Sequence, residues 1–173
     1  QPDGRLLIVS QTSHGLMTAA FCRHYGSQDF ARPEPYDAVL AGAAQHDNGW
    51  AEWERRPRLR ARGYPMDFLH DDDPLAKVEL WERGIALAAA QHPYAGLLVG
   101  QHAASLYVEF PTADLPGVVQ RRIDAFVADQ HRAVKRLAAA WCNTPAAAPW
   151  LEDDRVAGNL RLLRFGDTAS LQV

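Results

Sequence analysis

Cysteine is scarce in this chain of 173 residues, which holds only Cys22 and Cys142, far apart and in no metal-ligand spacing. A chain of this length buries enough surface to fold without disulfides, so reduced thiols are the simplest expectation. Long apolar runs are also absent: none approaches the roughly 20 residues of a membrane span, and the start QPDGRLLIVS lacks the pattern of a signal peptide. We therefore expect a cytoplasmic protein without a membrane partner.

Lysine is nearly missing as well: two lysines stand against sixteen arginines, and the formal net charge is −3. The chain thus has no global positive field, which argues against a nucleic-acid duplex as partner. The excess of arginine is compatible with phosphate recognition, but the codon usage of a GC-rich genome explains it more simply.

What remains is an ordinary globular composition, with 47% hydrophobic and 23% charged residues. The length fits one domain over residues 1–173, and apolar residues recur mostly with helical spacing. We expect an all-α bundle of about five to seven helices, behind a short extended segment at 5–10. The expected helices run from a cap at Thr12 or Ser13 to about 26–29, then over about 36–47, 74–91, 94–109 and 117–141, with a last helix in the tail from 156 onward.

Residues 51–73 break the helical pattern. This stretch holds two prolines, five arginines and three consecutive aspartates, without sustained periodicity. Loops of this length in compact domains usually carry function. We therefore predict a long loop at 51–73 that lies over the functional site.

Five ionisable side chains stand where the helical pattern predicts the core: His14, His46, Asp47, His102 and Asp167. Burial of such groups without partners is costly. The His-Asp pair falls in the last turn of the second expected helix, which the following Asn-Gly is expected to end in a left-handed turn. Imidazole nitrogens and carboxylate oxygens are ligands of divalent first-row metals, and a shared ion would offset the buried negative charge. The five residues together therefore predict a metal site.

The order of an early histidine, an adjacent His46-Asp47 pair and a late aspartate resembles the HD-domain superfamily of metal-dependent phosphohydrolases. In more detail, the chain resembles a bacterial family of unknown function that is allied to this superfamily. The resemblance rests on QTSHG (11–15), HDNGW (46–50), YPMDF (64–68), YAGLLVGQH (94–102) and LLRFGDTASL (162–171).

This resemblance implies an HD-domain-like helical bundle in which His14, His46, Asp47 and Asp167 bind one divalent ion, with His102 as a ligand for a second. The ion would be Mn, Fe, Mg, Ni or Zn. It further implies that a metal-activated water hydrolyses a small phosphorylated molecule, namely a phosphomonoester, a nucleotide or a phosphodiester, with Asp47 as the catalytic residue.

Three further residues are candidates for substrate binding. Arg58 and Arg62 lie in the expected loop, and guanidinium groups bind phosphate oxygens in a bidentate manner. A solvated basic loop is the alternative for most of its arginines. Gln11 stands three residues before His14, where its side chain could orient a ligand or a water.

Two other functions stay open at this point. A mixed His/carboxylate site on this type of fold also suits a di-iron oxygenase. A non-catalytic binding module that keeps the metal for stability is the third reading. The long amphipathic helix at 117–141 is in addition a possible homodimer surface.

Overall fold

The computed structural model describes residues 6–61, 63–69, 73–111 and 114–172. Within these ranges the chain forms seven α-helices, two 3-10 helices and no strand, which confirms the expected all-α bundle. The α-helices are α1 (Gln11–Arg23), α2 (Tyr36–Gln45), α3 (Ala51–Glu54), α4 (Pro74–Gln91), α5 (Pro93–Glu109), α6 (Gly117–Ala140) and α7 (Asp153–Ser170); the 3-10 helices are Asn48–Trp50 and Pro145–Leu151.

Helix α5 lies at the centre of the bundle. It packs against α2, α4, α6 and α7, while α1 packs between α2 and α7. Its fully buried Tyr94 and Leu98 belong to the largest core cluster. His92 caps its start, because the Nδ1 atom accepts a hydrogen bond of 3.1 Å from Tyr94 N. Because α5 is central, a side chain on it such as that of His102 lies close to side chains from several other helices.

Helix α1 begins earlier than its sequence suggests. Ser10 is the N-cap, and its hydroxyl accepts a hydrogen bond of 3.0 Å from Ser13 N, so the expected cap at Thr12 or Ser13 is wrong. The helix also ends earlier than expected, at Arg23 and not at about 26–29. Its buried residues are His14, Gly15, Thr18, Ala19 and Cys22, so mainly small side chains pack against the rest of the bundle.

The end of α2 also departs from expectation. The helix stops at Gln45, His46 is the C-cap, and Asn48–Trp50 forms a 3-10 helix. Gly49 is not in a left-handed conformation; a Cβ atom at this position would collide with the carbonyl oxygen of Leu80 in α4. Gly49 therefore serves close packing of the turn on α4, and the expectation of a left-handed stop is wrong.

The expected loop at 51–73 is helical in its first four residues, which form α3. Beyond them, residues 58–60 pair with residues 64–66 as a short hairpin, with hydrogen bonds of 2.7 Å from Met66 N to Arg58 O and from Arg60 N to Tyr64 O. Arg62 lies outside the described residues. In the part of the chain that is described, no helix combines the length and the apolar character needed to cross a membrane.

Candidate metal centre

The five ionisable residues predicted as ligands come together at one place, which we call the His/Asp cluster: His14, His46, Asp47, His102 and Asp167. His14 Nε2 lies 2.8 Å from Asp167 Oδ1, although the two residues are 153 positions apart. His46 Nε2 lies 3.3 Å from Asp47 Oδ2, and His102 Nε2 lies 3.7 Å from Asp167 Oδ2. Helices α1, α5 and α7 and the turn after α2 each contribute, so only the folded bundle forms the cluster.

The cluster contains two sets of three ligand atoms that share His46. One set is His14, His46 and Asp47, and the other is His46, His102 and Asp167. Within each set the ligand atoms lie no more than 4.8 Å from one another. This spacing suits one or two ions, because metal ligands surround an ion at about 2 Å each.

Burial divides the cluster into a floor and a rim. The side chain of His46 is fully buried, and those of His14 and His102 are nearly so. The carboxylates of Asp47 and Asp167 keep 13% and 17% of their surface exposed. The histidines therefore form the closed floor of the cluster, and the carboxylates form the side that is partly open to solvent.

The orientation of His46 favours a metal ligand. Its Nδ1–H donates a hydrogen bond of 2.8 Å to the carbonyl oxygen of Ala43, so the lone pair belongs to Nε2 when the ring is neutral. Among the described residues, that buried Nε2 has no hydrogen-bond partner. It faces Asp47 Oδ2 at 3.3 Å and Asp167 Oδ1 at 3.5 Å. A lone pair facing two carboxylates is repulsive unless a cation or a proton lies between them, so the donor set fits a divalent ion.

The electrostatics of the protein alone also favour positive charge at this place. Burial by itself lowers the pKa of His46, but the carboxylates of Asp47 and Asp167 outweigh it and raise that pKa to about 10. Burial raises the pKa of Asp167, yet the hydrogen bond from His14 and the nearby His46 imidazole bring it well below its usual range. Burial, and next the charge of His46, lower the pKa of His102 to about 4, which keeps this imidazole neutral.

His14 is oriented by a serine that sequence reasoning missed. Ser170 Oγ donates a hydrogen bond of 2.8 Å to the carbonyl oxygen of Asp167 and lies 2.8 Å from His14 Nδ1. With its own hydrogen used, the hydroxyl accepts from Nδ1–H, which orients the His14 ring so that Nε2 faces Asp167 and the rest of the cluster. The signal for Ser170 was its place three residues after Asp167, one helical turn along the same face.

Two glycines next to cluster residues let the helices approach closely. A Cβ atom on Gly15 would lie 2.6 Å from the carbonyl oxygen of Ala44, and one on Gly166 would lie 3.0 Å from that of Thr18. The first contact joins α1 to α2, and the second joins α7 to α1. Hydrogen side chains at these two positions therefore allow the backbone separation at which the His/Asp cluster forms.

Two of the predicted substrate-binding residues, Arg58 and Gln11, contact helix α3. The guanidinium of Arg58 lies over the ring of Trp53 in α3, 4.9 Å from its centroid. The backbone N–H of Gln11 donates a hydrogen bond of 2.7 Å to Glu54 Oε1. Glu54 was not predicted; its only sequence signal is its position shortly after HDNGW.

Aromatic rings connect the cluster to the hairpin. Trp81 packs edge-on to His102 with centroids 6.1 Å apart, and Trp50 packs on Trp81 at 6.5 Å. Trp50 in turn contacts Trp53 at 5.5 Å and Phe68 at 6.5 Å. Aromatic contacts thus run continuously from Trp53 and Phe68, which lie on either side of the hairpin, to His102 on the buried side of the cluster.

One family model matches the chain over residues 1–173, and its description is protein of unknown function (DUF3891). No curated protein and no solved structure shows significant similarity to the chain. Residue chemistry therefore supplies the basis for any statement about function.

Proposed function

The chain belongs to the DUF3891 family, a family of unknown function, and we propose that it is a metal-dependent phosphohydrolase acting on a phosphomonoester, a nucleotide or a phosphodiester. The observation that carries the proposal is the convergence of three histidines and two aspartates from four separate segments, around a buried His46 Nε2 without a hydrogen-bond partner among the described residues. Two carboxylates face that atom at 3.3 and 3.5 Å, so a cation at this place would contact all three side chains.

The order of these residues along the chain supports the same proposal. An early histidine, the His46-Asp47 pair and a late aspartate resemble the arrangement of HD-domain phosphohydrolases, and all of these residues lie in the His/Asp cluster. The all-helical bundle is compatible with that resemblance.

A divalent ion at these donors would supply Lewis acidity, which activates water near neutral pH and polarises a phosphoryl oxygen. The residues of the chain would bind this ion and orient its ligand atoms. Hydrogen bonds to Ala43 O and Ser170 Oγ hold the Nε2 atoms of His46 and His14 toward the place that such an ion would take. Asp47 and Asp167 compensate its charge from the exposed rim. Because the imidazoles close the floor, the substrate phosphate approaches from the side of the carboxylates.

Arg58 is the residue that we propose for holding a substrate phosphate. It lies in the hairpin that follows α3, and its stacking on the ring of Trp53 restricts the position of the guanidinium. A cation on this loop also offsets the repulsion between a phosphate and the carboxylates of the rim.

Metal analysis followed by a phosphoester panel tests the proposal. We expect the purified full chain to contain a divalent metal, or to take up Mn²⁺, and to hydrolyse at least one phosphomonoester, nucleotide or phosphodiester. Asp47→Ala should lose both the metal and the activity. His24→Ala is the matched control, because His24 is exposed at the end of α1 and should change neither.

Three outcomes would overturn the proposal. Absence of metal after purification and after soaking with Mn²⁺ would remove its basis. Two bound irons with a near-UV absorption band would indicate an oxygenase instead. A bound metal without turnover of any phosphoester, together with a sharp loss of thermal stability in Asp47→Ala, would indicate a metal-stabilised binding module.

A further inference from the structure

Glu54 connects two of the chain segments that form the His/Asp cluster. It is the last residue of α3, which follows the His46-Asp47 pair after one 3-10 turn. Its Oε1 atom accepts a hydrogen bond of 2.7 Å from the backbone N–H of Gln11, the first residue of α1. His14 stands three residues later, one turn into the same helix. The bond therefore ties the segment that carries Asp47 to the helix that carries His14.

This contact completes the start of α1. The first N–H groups of a helix have no partner within the helix. Ser10 Oγ accepts from Ser13 N, and Glu54 accepts from Gln11 N, so the two contacts satisfy different donors. A carboxylate at a helix N-terminus is also favoured by the helix dipole. Helix α1 is thus held at its beginning by a side chain that comes from another part of the fold.

We infer that Glu54 is a positioning residue of the proposed metal centre: through the start of α1, it holds His14 at the distance from Asp47 that a shared ion requires. His14 Nε2 lies 3.7 Å from Asp47 Oδ2, a separation that two ligands of one ion can have. The inference rests on the metal binding of the proposed function and is independent of the reaction.

The pKa of Glu54 reflects its burial and its neighbours. Burial, and to a smaller degree the charge of Asp47, raise the pKa of Glu54, while the bond from Gln11 N opposes them. The bond from Gln11 N therefore favours the charged carboxylate, which is the form that accepts most strongly at the start of α1.

Two substitutions at Glu54 distinguish the contribution of its hydrogen bond with Gln11 N from that of its negative charge. In the full-length chain, we expect Glu54→Ala to weaken Mn²⁺ binding about 10- to 100-fold, the usual effect of losing a residue that orients a ligand. Glu54→Gln should bind Mn²⁺ nearly as the unmutated protein does, because its amide oxygen still accepts from Gln11 N. Glu52→Ala is the matched control, since Glu52 lies in the same helix with 73% of its side chain exposed. Titration calorimetry with Mn²⁺ alone measures all three.

A double-mutant cycle then tests whether Glu54 acts through His14. We expect His14→Ala to weaken Mn²⁺ binding, and the addition of Glu54→Ala to cause little further loss. A general effect on folding would instead give losses that multiply, because independent contributions add in free energy. Circular dichroism checks that each variant is folded, and Glu54→Gln keeps the test possible if Glu54→Ala does not fold.

The outcomes distinguish this inference from the proposed function. Unchanged Mn²⁺ affinity in Glu54→Ala, or independent losses in the cycle, would overturn the positioning role while leaving the metal centre intact. Equal weakening in Glu54→Gln and Glu54→Ala would also overturn it, because charge and not geometry would then be the contribution. Absence of any divalent metal from the unmutated protein, both as purified and after addition of Mn²⁺, would overturn the proposed function, and the role of Glu54 with it.

Discussion

At the scale of single residues, the side chains of His46 and Cys22 show that neighbouring charges decide whether a buried ionisable group is charged or neutral. His46 is fully buried beside two carboxylates, which raise its pKa to about 10 against the effect of burial. Cys22 is also fully buried, but its surroundings are apolar or neutral, and burial raises the pKa of its thiol to about 11. The His46 imidazole is therefore protonated more readily than a free histidine, whereas the Cys22 thiol stays neutral.

We predict that Cys22 does not react with thiol reagents in the native protein. A pKa above its usual value leaves the thiol protonated at pH 8, and the protonated form is a poor nucleophile. Cys142 is exposed and serves as the internal control. Titration with Ellman's reagent at pH 8 should modify one thiol per native chain and two after denaturation. Rapid modification of both in the native protein would contradict the burial of Cys22.

The type of each residue decided whether its place in the candidate site could be predicted from the sequence. The cluster residues were predictable because each is a polar side chain on a helical face that is otherwise apolar, as His102 is between Leu98 and Leu106. Ser170 and Glu54 were not predicted. A serine and a glutamate are ordinary surface residues, and their roles arise from contacts with residues 156 and 43 positions away.

At the scale of the elements, close contact between helices determines where the ligands lie. Gly15 in α1 faces the carbonyl oxygen of Ala44 in α2, and Gly166 in α7 faces that of Thr18 in α1. Each glycine is adjacent in sequence to a cluster residue. A wider separation of these helices would move His14 away from both Asp47 and Asp167.

We predict that Gly15→Ala destabilises the protein although alanine favours helices. The new Cβ atom would lie 2.6 Å from a backbone oxygen that cannot rotate away, so α1 and α2 must separate. Such overpacking costs about 1–3 kcal/mol, and thermal unfolding should show Tm lowered by about 2–4 °C per kcal/mol.

Gly158→Ala is the matched control for this prediction. Gly158 is inside α7, and the nearest atom to its added Cβ belongs to the flexible side chain of Arg161 at 3.8 Å. Helix propensity alone should therefore stabilise this variant, by up to about 1 kcal/mol. Equal Tm values for the two variants would mean that the contact between Gly15 and Ala44 does not limit the packing of α1 on α2.

At the scale of the whole molecule, the His/Asp cluster joins the two ends of the chain. His14 and Asp167 belong to helices α1 and α7, and His102 comes from the central helix α5. An ion bound by these residues contacts the native state and has no equivalent site in the unfolded chain. Metal binding should therefore stabilise the entire bundle.

We predict that Mn²⁺ raises the Tm of the full chain and that removal by a chelator reverses the change. Free ion at 100 times its Kd contributes about 2.7 kcal/mol to the stability of the native state. Differential scanning calorimetry at several Mn²⁺ concentrations measures this shift. Asp47→Ala should show no shift; the same shift in that variant would place the ion elsewhere on the protein.

The sequence by itself determined the helical class of the chain, the approximate helix positions and the five residues of the cluster. These follow from local properties, namely the 3.6-residue spacing of apolar side chains and the rarity of ionisable groups on a buried face. Only the tertiary structure decided that Gly49 serves packing against α4, that Ser10 begins α1, and that Glu54 contacts Gln11. Those features depend on how helices distant in sequence cross one another, and the crossing is set by the packing of the whole bundle.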